Sequence, residues 1–429
     1  MLMTMKIEQP STVLLAAILS SICTVILCNI FTAFNRPISS KTEQPGVTKN
    51  TIHLGSVLAL QGQEEALGNH MKEGLEAALK GEIVQGKTIN IDFQNDFYEP
   101  STAEYVTYDL IEQGVFLMVG NVGTPTAKHT LPILAEHRVP AVGFFTGAAL
   151  LRPGKGDIVN YRASYSQEIN AVVQLAQEIG LQSQEICAYV QNDSYGMAGL
   201  EGLKQALAQT DTPKSIVDGY EEILALPGVA PQRNNITSVG VYTRNTPYVE
   251  PGYNSLKNWE KSTGNRCQLV ITAGAYGNIS RFVRHSRKNG EKWVISALSF
   301  TGADDLRLDL KEYGVDNKII MTQVVPLLNS PLDIVQEAKA ELGEEFGFVS
   351  LEGYIVGKMI LQILKDIPGD LTRDSFLTQV RQSKFNLGGL EVDFTKDGNQ
   401  GSDLVILSYL TPSGYQLLSP QILQEMLLQ

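Results

Sequence analysis

The stretch Val115-Phe-Leu-Met-Val-Gly-Asn-Val-Gly-Thr-Pro-Thr-Ala127 predicts the fold class of the chain. Its first five residues form a short, apolar run rich in β-branched and aromatic side chains, which is typical of a buried strand. Glycines then allow a tight turn, Thr is favoured as a helix N-cap, and Pro is favoured at the first helical position. We therefore expect a strand that turns directly into a helix beginning at Thr124, as in an α/β protein.

This turn is also a candidate ligand site. Ligands of α/β proteins bind at the carboxyl ends of strands, and a helix N-terminus offers free N–H groups and a partial positive charge to a carboxylate or phosphate. The same residues also suit a strand-turn-helix unit for geometric reasons alone, so the spacing leaves both interpretations open. The stretch matches neither the GxxxxGK[ST] phosphate loop nor the GxGxxG dinucleotide loop, which disfavours a nucleotide as the ligand.

Strands and helices alternate outward from this stretch, beginning at Thr51, and a second series of similar size begins near Tyr165. The predicted strands are 52–60, 89–93, 115–119, 139–144, 186–190, 269–273, 294–298, 318–325 and 404–410. The predicted helices are 67–79, 103–113, 124–137 (with a kink at Pro132), 166–179, 198–208, 279–288, 332–342 and 351–367. Segment 227–265 is interpreted as irregular and partly a long surface insertion. This order predicts two doubly wound, parallel-sheet lobes with a cleft between them.

Composition limits the function classes. The chain has 429 residues, of which 43% are hydrophobic and 19% charged, so it is globular and long enough for two or three domains. Its net charge of −12 gives no basic footprint for nucleic acid, so no nucleic-acid partner is expected. Because the acidic residues are spread along the chain, we interpret them mainly as a contribution to solubility.

The N-terminus indicates export. After a tail at 1–10, residues 11–34 are apolar and uncharged over a length that can span a bilayer, and a polar linker follows at 35–50. Residues 30–34 offer no small-x-small cleavage site, so an uncleaved signal-anchor is favoured over a cleaved signal. Either alternative predicts an extracytoplasmic protein, membrane-anchored or secreted.

The cysteines and histidines do not form a recognisable catalytic or metal-binding motif. A Cys187–Cys267 bridge can be drawn, but the pattern is not that of a disulfide framework, and two separate buried thiols are the favoured interpretation. The five histidines form no HExxH motif, and the chain contains no GxSxG elbow. We therefore predict a binding protein and not an enzyme, with no metal and no cofactor.

Several blocks of the chain, in this order, resemble a known family. They are Leu67-Gly68, Asp96-Phe-Tyr-Glu-Pro100, Gly120-Asn-Val-Gly-Thr-Pro-Thr-Ala127, Phe145-Thr-Gly-Ala148, Arg162-Ala-Ser-Tyr165, Gln191-Asn-Asp-Ser-Tyr-Gly196, Gly274-Ala-Tyr276, Thr322-Gln-Val-Val-Pro326, Phe348-Val-Ser-Leu-Glu-Gly-Tyr354 and Gln400-Gly-Ser-Asp403. Over residues 51–418 the chain resembles extracytoplasmic solute-binding proteins of the type I periplasmic-binding fold, in the leucine/isoleucine/valine-binding branch of ABC transporters. The resemblance implies one lobe from 51–164 plus 324–400, another from 165–323 plus 401–420, and a hinge between them.

The resemblance also implies a ligand site in the cleft. Its expected residues are Leu67, Gly123, Thr124, Phe145, Thr146, Gly147, Tyr195 and Tyr276. In relatives, the residue at Thr124 binds the ligand carboxylate through its hydroxyl and N–H, and the loop 145–147 adds contacts, one of them to the α-ammonium. Tyr195 and Tyr276 match aromatic residues that close from the second lobe. Leu67 matches a side-chain pocket position.

One departure from the family keeps the ligand class open. Amino-acid binders of this branch often carry an acidic residue after the strand matching 294–298, whereas this chain reads Ser299-Phe-Thr-Gly302. Because a buried ammonium needs a counter-charge, an amino acid, a small carboxylate and an amide all stay open. The leading prediction is the binding component of an ABC importer, with permease subunits as partners, whose two lobes close over a small carboxylate-bearing ligand, with an amino acid favoured. The alternatives are a ligand-sensing receptor module that signals to a membrane partner, and a hydrolase on the same scaffold, which lacks a nucleophile–base pair.

Overall fold

Residues 44–154 and 156–428 are described by the computed structural model of the chain. The predicted tail at 1–10 and membrane segment at 11–34 lie outside the described residues, as does most of the linker. Within the described ranges, no helix is both long enough and apolar enough to cross a membrane.

The first sheet forms the core of the first lobe. Its six strands are β1 (Thr51–Leu58), β2 (Ile83–Val84), β3 (Lys87–Asn95), β4 (Met118–Val119), β5 (Ala141–Val142) and β6 (Ile158–Val159). They lie in the order β2-β3-β1-β4-β5-β6, and all neighbours pair in parallel except β2 with β3. In the predicted strand at 115–119, only Met118 and Val119 form a β-strand, although all five residues are buried.

The second sheet forms the core of the second lobe. It contains the parallel strands β7 (Ile186–Gln191), β8 (Val239–Tyr242), β9 (Leu269–Ala273), β10 (Val294–Ala297) and β11 (Ile319–Gln323). A separate hairpin follows, formed by β12 (Lys384–Leu387) and β13 (Leu390–Asp393). The antiparallel strands β14 (Ile406–Thr411) and β15 (Gly414–Leu417) then complete the second sheet, whose order is β15-β14-β11-β10-β9-β7-β8.

The helices cover the two sheets. They are α1 (Glu65–Leu79), α2 (Pro100–Glu112), α3 (Thr124–Glu136), α4 (Tyr165–Glu178), α5 (Ser194–Leu207), α6 (Lys214–Ala225), α7 (Glu250–Thr263), α8 (Tyr276–Lys288), α9 (Ala303–Glu312), α10 (Asp333–Leu342), α11 (Phe348–Asp366), α12 (Arg373–Gln382) and α13 (Pro420–Leu428). The helix α3 continues through Pro132 as one element. The late helix α11 packs along α1 of the first lobe, where glycines allow close approach: a Cβ at Gly74 would lie 2.1 Å from the carbonyl oxygen of Ser350.

Strand order explains where a ligand site can form. In the first sheet, the chain leaves β1 in one direction to β3 and later returns to its other side at β4, so a crevice opens at the ends of β1 and β4. In the second sheet, β7 is flanked in the same way by β8 and β9. Four loops therefore lie at these crevices, where backbone groups can reach a ligand: those after β1 and β4 in the first lobe, and those after β7 and β9 in the second.

Three crossings of the chain connect the lobes, between β6 and α4, between β11 and α10, and between β13 and β14. They are bonded to one another: Tyr161 Oη donates to the carbonyl oxygen of Val324 at 3.0 Å, and Ser402 N donates to the carbonyl oxygen of Tyr161 at 2.8 Å. This is the predicted two-lobe fold with a hinge. The residue limits predicted for each lobe stay a prediction.

Two predictions about the second lobe are wrong. Segment 227–265 is not mainly an irregular insertion, because it contains β8 and the helix α7. Nor are Cys187 and Cys267 separate thiols: they form a disulfide with a Cα–Cα distance of 5.7 Å. Cys187 lies in β7 and Cys267 just before β9, and these strands are neighbours in the sheet. Their proximity depends on strand order, which is not visible in the spacing of the two cysteines.

Candidate functional site

The helix α3 begins at the crevice beside β4. Thr124 is its first helical residue, so the predicted start of the helix is confirmed, but the N-cap is Gly123 and not Thr124. Gly123 has a φ of 109°, and a Cβ there would lie 2.5 Å from Cε2 of Tyr98, so only glycine suits this turn. Because glycine has no side chain with which to cap a helix, it leaves the first N–H groups of α3 for another acceptor.

A chain of hydroxyl groups lies beside this helix start. The hydroxyls of Thr124 and Thr146 are 2.7 Å apart, and Tyr165 Oη donates to Thr146 Oγ1 at 3.3 Å. The backbone fixes the same loops, since Gly123 N donates to the carbonyl oxygen of Phe145 and Tyr165 N to that of Gly147. Burial raises the pKa of Tyr165, so its hydroxyl stays protonated and able to donate.

Aromatic rings from both lobes meet next to the hydroxyls. Phe300 of the second lobe lies with its ring centroid 5.1 Å from that of Phe145 and 4.7 Å from that of Tyr195. Tyr195 also packs on Tyr165 at 5.2 Å, and Tyr98 lies 6.2 Å from Phe300. All five rings are buried. The part of the cleft beside the hydroxyls is thus lined by aromatic rings.

Leu67 and Tyr276 form a second contact between the lobes. A Cβ built on Gly302 would lie 2.7 Å from Leu67 Cδ2 and 3.5 Å from Tyr276 Cδ1, so all three residues converge. Gly302 has a φ of 86°, which also favours glycine. Because Gly302 follows Phe300 by two residues, the segment Ser299–Gly302 joins this contact to the aromatic cluster.

The structure therefore brings the predicted site residues into two adjoining groups. Gly123, Thr124, Phe145, Thr146, Gly147 and Tyr195 form one group, and Leu67 and Tyr276 form the other. Their role in binding stays a prediction. Sequence reasoning did not select three further aromatic residues of the cluster: Tyr98, Tyr165 and Phe300. Tyr98 and Tyr165 lie in blocks that resemble the family, and Phe300 lies in Ser299–Gly302, where the chain departs from it. Their positions in these segments could have indicated a place near the site.

The segment Ser299–Gly302 lacks the acidic residue of the family pattern, but the carboxylate of Glu168 lies against Ser299. Glu168, on α4, accepts from Ser299 N at 2.9 Å and from Ser299 Oγ at 3.0 Å, and it also accepts from the hydroxyl of Thr322. Arg162 Nη2 donates to Glu168 Oε1 at 3.2 Å and also contacts Ser299 Oγ. Glu168 is fully buried, and both its oxygens have partners. This carboxylate is therefore saturated by the protein itself.

Arg162 links this buried group to the first lobe. Its Nη1 lies 3.4 Å from Glu352 Oε1 on α11, and its guanidinium lies 5.0 Å from the ring centroid of Phe145. Burial alone would lower the pKa of Arg162, but Glu352 and Glu168 raise it, so the guanidinium stays charged. Burial raises the pKa of Glu352 to about 7, against the opposing effect of Arg162. We call Arg162, Glu168, Ser299, Thr322 and Glu352 the hinge cluster.

A polar contact at Glu99 also joins the two lobes. Arg244 Nη2 and Asn245 Nδ2, both after β8, donate to the carboxylate of Glu99 in the first lobe at 2.7 and 2.6 Å. The Arg244 guanidinium also lies 5.7 Å from the ring centroid of Tyr98. The segment that was predicted to be an insertion therefore supplies a direct contact between the lobes.

His70 and Asp305 make another contact across the cleft. His70 Nε2 lies 3.6 Å from Asp305 Oδ2, and His70 Nδ1 lies 3.0 Å from Glu73 Oε2. The nearby carboxylate of Asp305 is the main cause that raises the pKa of His70 to about 9, so this imidazole is a cation at neutral pH. His70, Glu73 and Glu345 are the one group among the described residues whose ligand atoms lie close enough for a metal ion. Since His70 already has carboxylate partners, its contacts favour an ion pair.

Comparison with known proteins supports this architecture. Residues 51–221 match the family described as periplasmic binding protein. The crystal structure of a possible leucine/isoleucine/valine-binding protein from Rhodopirellula baltica SH 1 is 32% identical, with coverage of 87% of this chain and 98% of that one and a TM-score of 0.77. None of the curated protein sequences matches the chain.

More distant solved structures share the fold. A branched-chain amino acid ABC transporter protein from Thermus thermophilus with bound valine is 16% identical, covers 87% of this chain and 96% of its own, and has a TM-score of 0.66. A solute-binding protein from R. palustris in complex with 4-hydroxybenzoate is 17% identical, with 86% and 96% coverage and a TM-score of 0.66. At these identities the similarity shows the fold alone.

Proposed function

Because the chain belongs to the family of type I periplasmic binding proteins, we propose that it is the extracytoplasmic solute-binding component of an ABC importer. In this proposal, the two lobes close over a small carboxylate-bearing ligand and present it to permease subunits. The observation that carries the proposal is the uncapped start of α3, with the hydroxyls of Thr124 and Thr146 beside it, between aromatic rings of both lobes.

A carboxylate suits the chemistry of this position. Free N–H groups and the positive end of a helix stabilise an anion, and hydroxyls can donate to its oxygens. A helix terminus contributes only about 0.3–2 kcal/mol, whereas micromolar affinity needs about −8 kcal/mol. The remainder has to come from enclosing the ligand against apolar walls, which requires both lobes. Valine and 4-hydroxybenzoate, the ligands named for two similar structures, both carry a carboxylate.

The proposed location has independent support. A disulfide such as Cys187–Cys267 forms and persists in oxidising compartments outside the cytoplasm. Its presence agrees with the apolar segment at 11–34, through which the chain would be exported and held at the membrane. In this role we expect capture and release of a ligand without catalysis.

Calorimetric titration of the purified full-length chain tests the proposal. The panel contains amino acids and small carboxylates, including leucine, phenylalanine and 4-aminobutanoate with their amine-free analogues. We expect a carboxylate-bearing ligand to bind with micromolar or tighter affinity. If a folded protein binds none of them, the proposed ligand class is wrong.

Thr124→Val tests the position of the carboxylate. Valine keeps the shape of threonine but removes the hydroxyl, so the ligand loses one charge-assisted hydrogen bond. We expect about tenfold weaker binding, which corresponds to about 1.4 kcal/mol. Thr378→Val, at an exposed position on α12, is the matched control and should not change affinity. Equal affinities of the two variants would place the carboxylate elsewhere.

A further inference from the structure

Glu64 is a buried carboxyl group in the cleft that neither the sequence pattern nor the proposed function uses. It precedes α1 in the loop after β1, one of the four loops at the strand-order crevices. Only 3% of the residue is exposed, and no described residue donates a hydrogen bond to its Oε2. A buried carboxylate oxygen without a donor is unfavourable, so its retention needs an explanation.

The surroundings of Glu64 come from the second lobe. The charged groups that act on it are Arg281, Asp309, Arg244 and Asp193, all on that lobe. Burial is the main cause that raises the pKa of the Glu64 carboxyl to about 7, and the two arginines only partly oppose it. Glu64 therefore extends from one lobe into the other, in surroundings that do not neutralise it.

The neighbouring charges are already engaged with other groups. Asp193 Oδ1 accepts from the N–H groups of Tyr195 and Gly196, and its Oδ2 accepts from Gln191 Nε2. Asp309 Oδ2 accepts from the hydroxyl of Ser280 at 2.7 Å.

The arginines are engaged as well. Arg244 donates to Glu99, and Arg281 Nη1 donates to Asn278 Oδ1 at 3.1 Å. Asp96 also has an oxygen without a donor among the described residues, but its other oxygen accepts from Tyr98 N, which gives it a structural role in the turn before α2. Within residues 44–154 and 156–428, no backbone N–H donates to the Glu64 carboxylate, so no comparable contact explains its burial.

Tyr98 connects Glu64 with the start of α3. Its ring abuts Gly123, where a Cβ would come within 2.5 Å. Burial raises the pKa of Tyr98, and the charges of Asp193 and Glu64 raise it further, so Glu64 acts on the same ring. A ligand anchored at Thr124 would therefore extend past Tyr98 toward Glu64.

We propose that Glu64 binds a cationic nitrogen of the ligand, so that the protein selects zwitterions that carry a carboxylate and an ammonium group. The inference rests on the proposed function, which places the carboxylate at α3. It assigns the counter-charge to Glu64, because Glu168 at Ser299 is already saturated by Arg162, Ser299 and Thr322. An ammonium would supply the donor that Glu64 Oε2 lacks, whereas an amine-free analogue would leave that oxygen unpaired.

Matched ligand pairs and matched variants test the proposal. The pairs are leucine with 4-methylpentanoate, phenylalanine with 3-phenylpropanoate, and 4-aminobutanoate with butanoate. The variants are Glu64→Gln and, as control, Glu65→Gln at the adjacent exposed position on α1. For at least one pair, we expect the unmodified chain to prefer the amine-bearing ligand by at least tenfold. Glu64→Gln should weaken that ligand by tenfold or more and its analogue by less than twofold, whereas Glu65→Gln should change neither.

The other outcomes separate the two proposals. If in every pair that binds the unmodified chain holds the analogue as tightly as its amine-bearing partner, or if Glu64→Gln weakens both members of the preferred pair equally or neither, the role of Glu64 is wrong and the proposed function stands. If no carboxylate binds, the proposed function fails and the inference fails with it. Thermal unfolding verifies that each variant is folded. Should Glu64→Gln not fold, Glu64→Asp replaces it; because it keeps the charge but shortens the side chain by one methylene, we expect a smaller loss that is still confined to the amine-bearing ligand.

Discussion

Glu168 and Glu64 are both buried carboxyl groups between the lobes, but their surroundings differ. Glu168 receives donors from Arg162, Ser299 and Thr322, so the hinge cluster satisfies it within the protein. No described residue donates to Glu64 Oε2, and its charged neighbours are bonded to other groups. Burial alone therefore does not distinguish a carboxylate that the protein satisfies from one to which we assign a role in binding. The number of protein donors that each carboxylate receives makes the distinction.

The largest expected effect comes from removing Glu168. Glu168→Ala leaves Arg162 buried with only Glu352 as a counter-charge, so the free energy of unfolding should fall by about 3–5 kcal/mol. Urea denaturation measures the loss, and Glu178→Ala at the exposed end of α4 should stay within about 0.5 kcal/mol of the unmodified chain. A loss below about 1 kcal/mol would mean that Glu168 is not the main partner of Arg162 and would remove the contrast with Glu64.

Replacing Glu64 should have a smaller effect, of opposite sign. The folded-state pKa of Glu64 is raised from 4.5 to about 7, so the folded chain holds more protons than the unfolded chain in this interval. Its contribution to stability is thus present below pH 4.5 and decreases as the pH rises toward 7. Glu64→Met should lack this decrease and be more stable than the unmodified chain at pH 8, by on the order of 1–3 kcal/mol.

Urea denaturation between pH 4.5 and 8 measures the unfolding free energy of both proteins, and the value for the unmodified chain is subtracted from that for Glu64→Met at each pH. The subtraction is needed because burial also raises the pKa values of Asp96 and Glu352 to about 7, and both are present in each protein. If Glu64→Met is destabilised by the same amount at every pH, Glu64 has an unseen structural partner and belongs with Glu168.

Ser299→Ala removes one hydrogen-bond donor from Glu168 and so tests its contrast with Glu64. Glu168 loses the hydroxyl of Ser299 but keeps the backbone N–H, Thr322 and Arg162, so we expect a loss of about 1.5–2 kcal/mol in unfolding free energy. The preference for amine-bearing ligands should be unchanged, because the ammonium is assigned to Glu64. A change in that preference would indicate that the hinge cluster contacts the ligand.

The smallest effect is expected at Glu99, where both partners reach solvent. Its side chain is 41% exposed and that of Arg244 is 18% exposed, so the pair should contribute at most about 1 kcal/mol to closure. Glu99→Gln should therefore weaken ligand binding no more than about fivefold, and the difference should shrink between 0.05 and 0.5 M salt. A larger effect that is insensitive to salt would mean that Glu99 acts on Glu64 through Arg244.

Much of the fold could be predicted from local patterns. The alternation of short apolar runs with amphipathic helices gave the two α/β lobes, and the glycine turn before Thr124 gave the helix start at the crevice. The resemblance added the loop 145–147 and Tyr195, which the structure brings next to Thr124. These features depend on residues that are close in sequence or on blocks with a recognisable order.

The rest depends on contacts between distant residues. Glu168 and Ser299 are separated by 131 positions, and Cys187 and Cys267 by 80, so no local pattern indicates either pairing. Glu64 belongs to no motif. It is buried because the second lobe packs against the loop after β1, which no local pattern indicates. The strand β8 in 227–265 is short and flanked by prolines and asparagines, which outweigh its apolar signal in a sequence window.

The Cys187–Cys267 bridge also makes the protein convenient for spectroscopy. No other cysteine occurs in residues 44–428, so the bridge leaves this region without a thiol that could react with a label. With Cys23 and Cys28 replaced by serine, a single cysteine placed at Tyr248, which is exposed and lies three residues beyond Asn245, would carry one fluorophore near the contact of Asn245 with Glu99. Its emission would then follow the opening and closing of the lobes for any ligand, with no need to label the ligand itself.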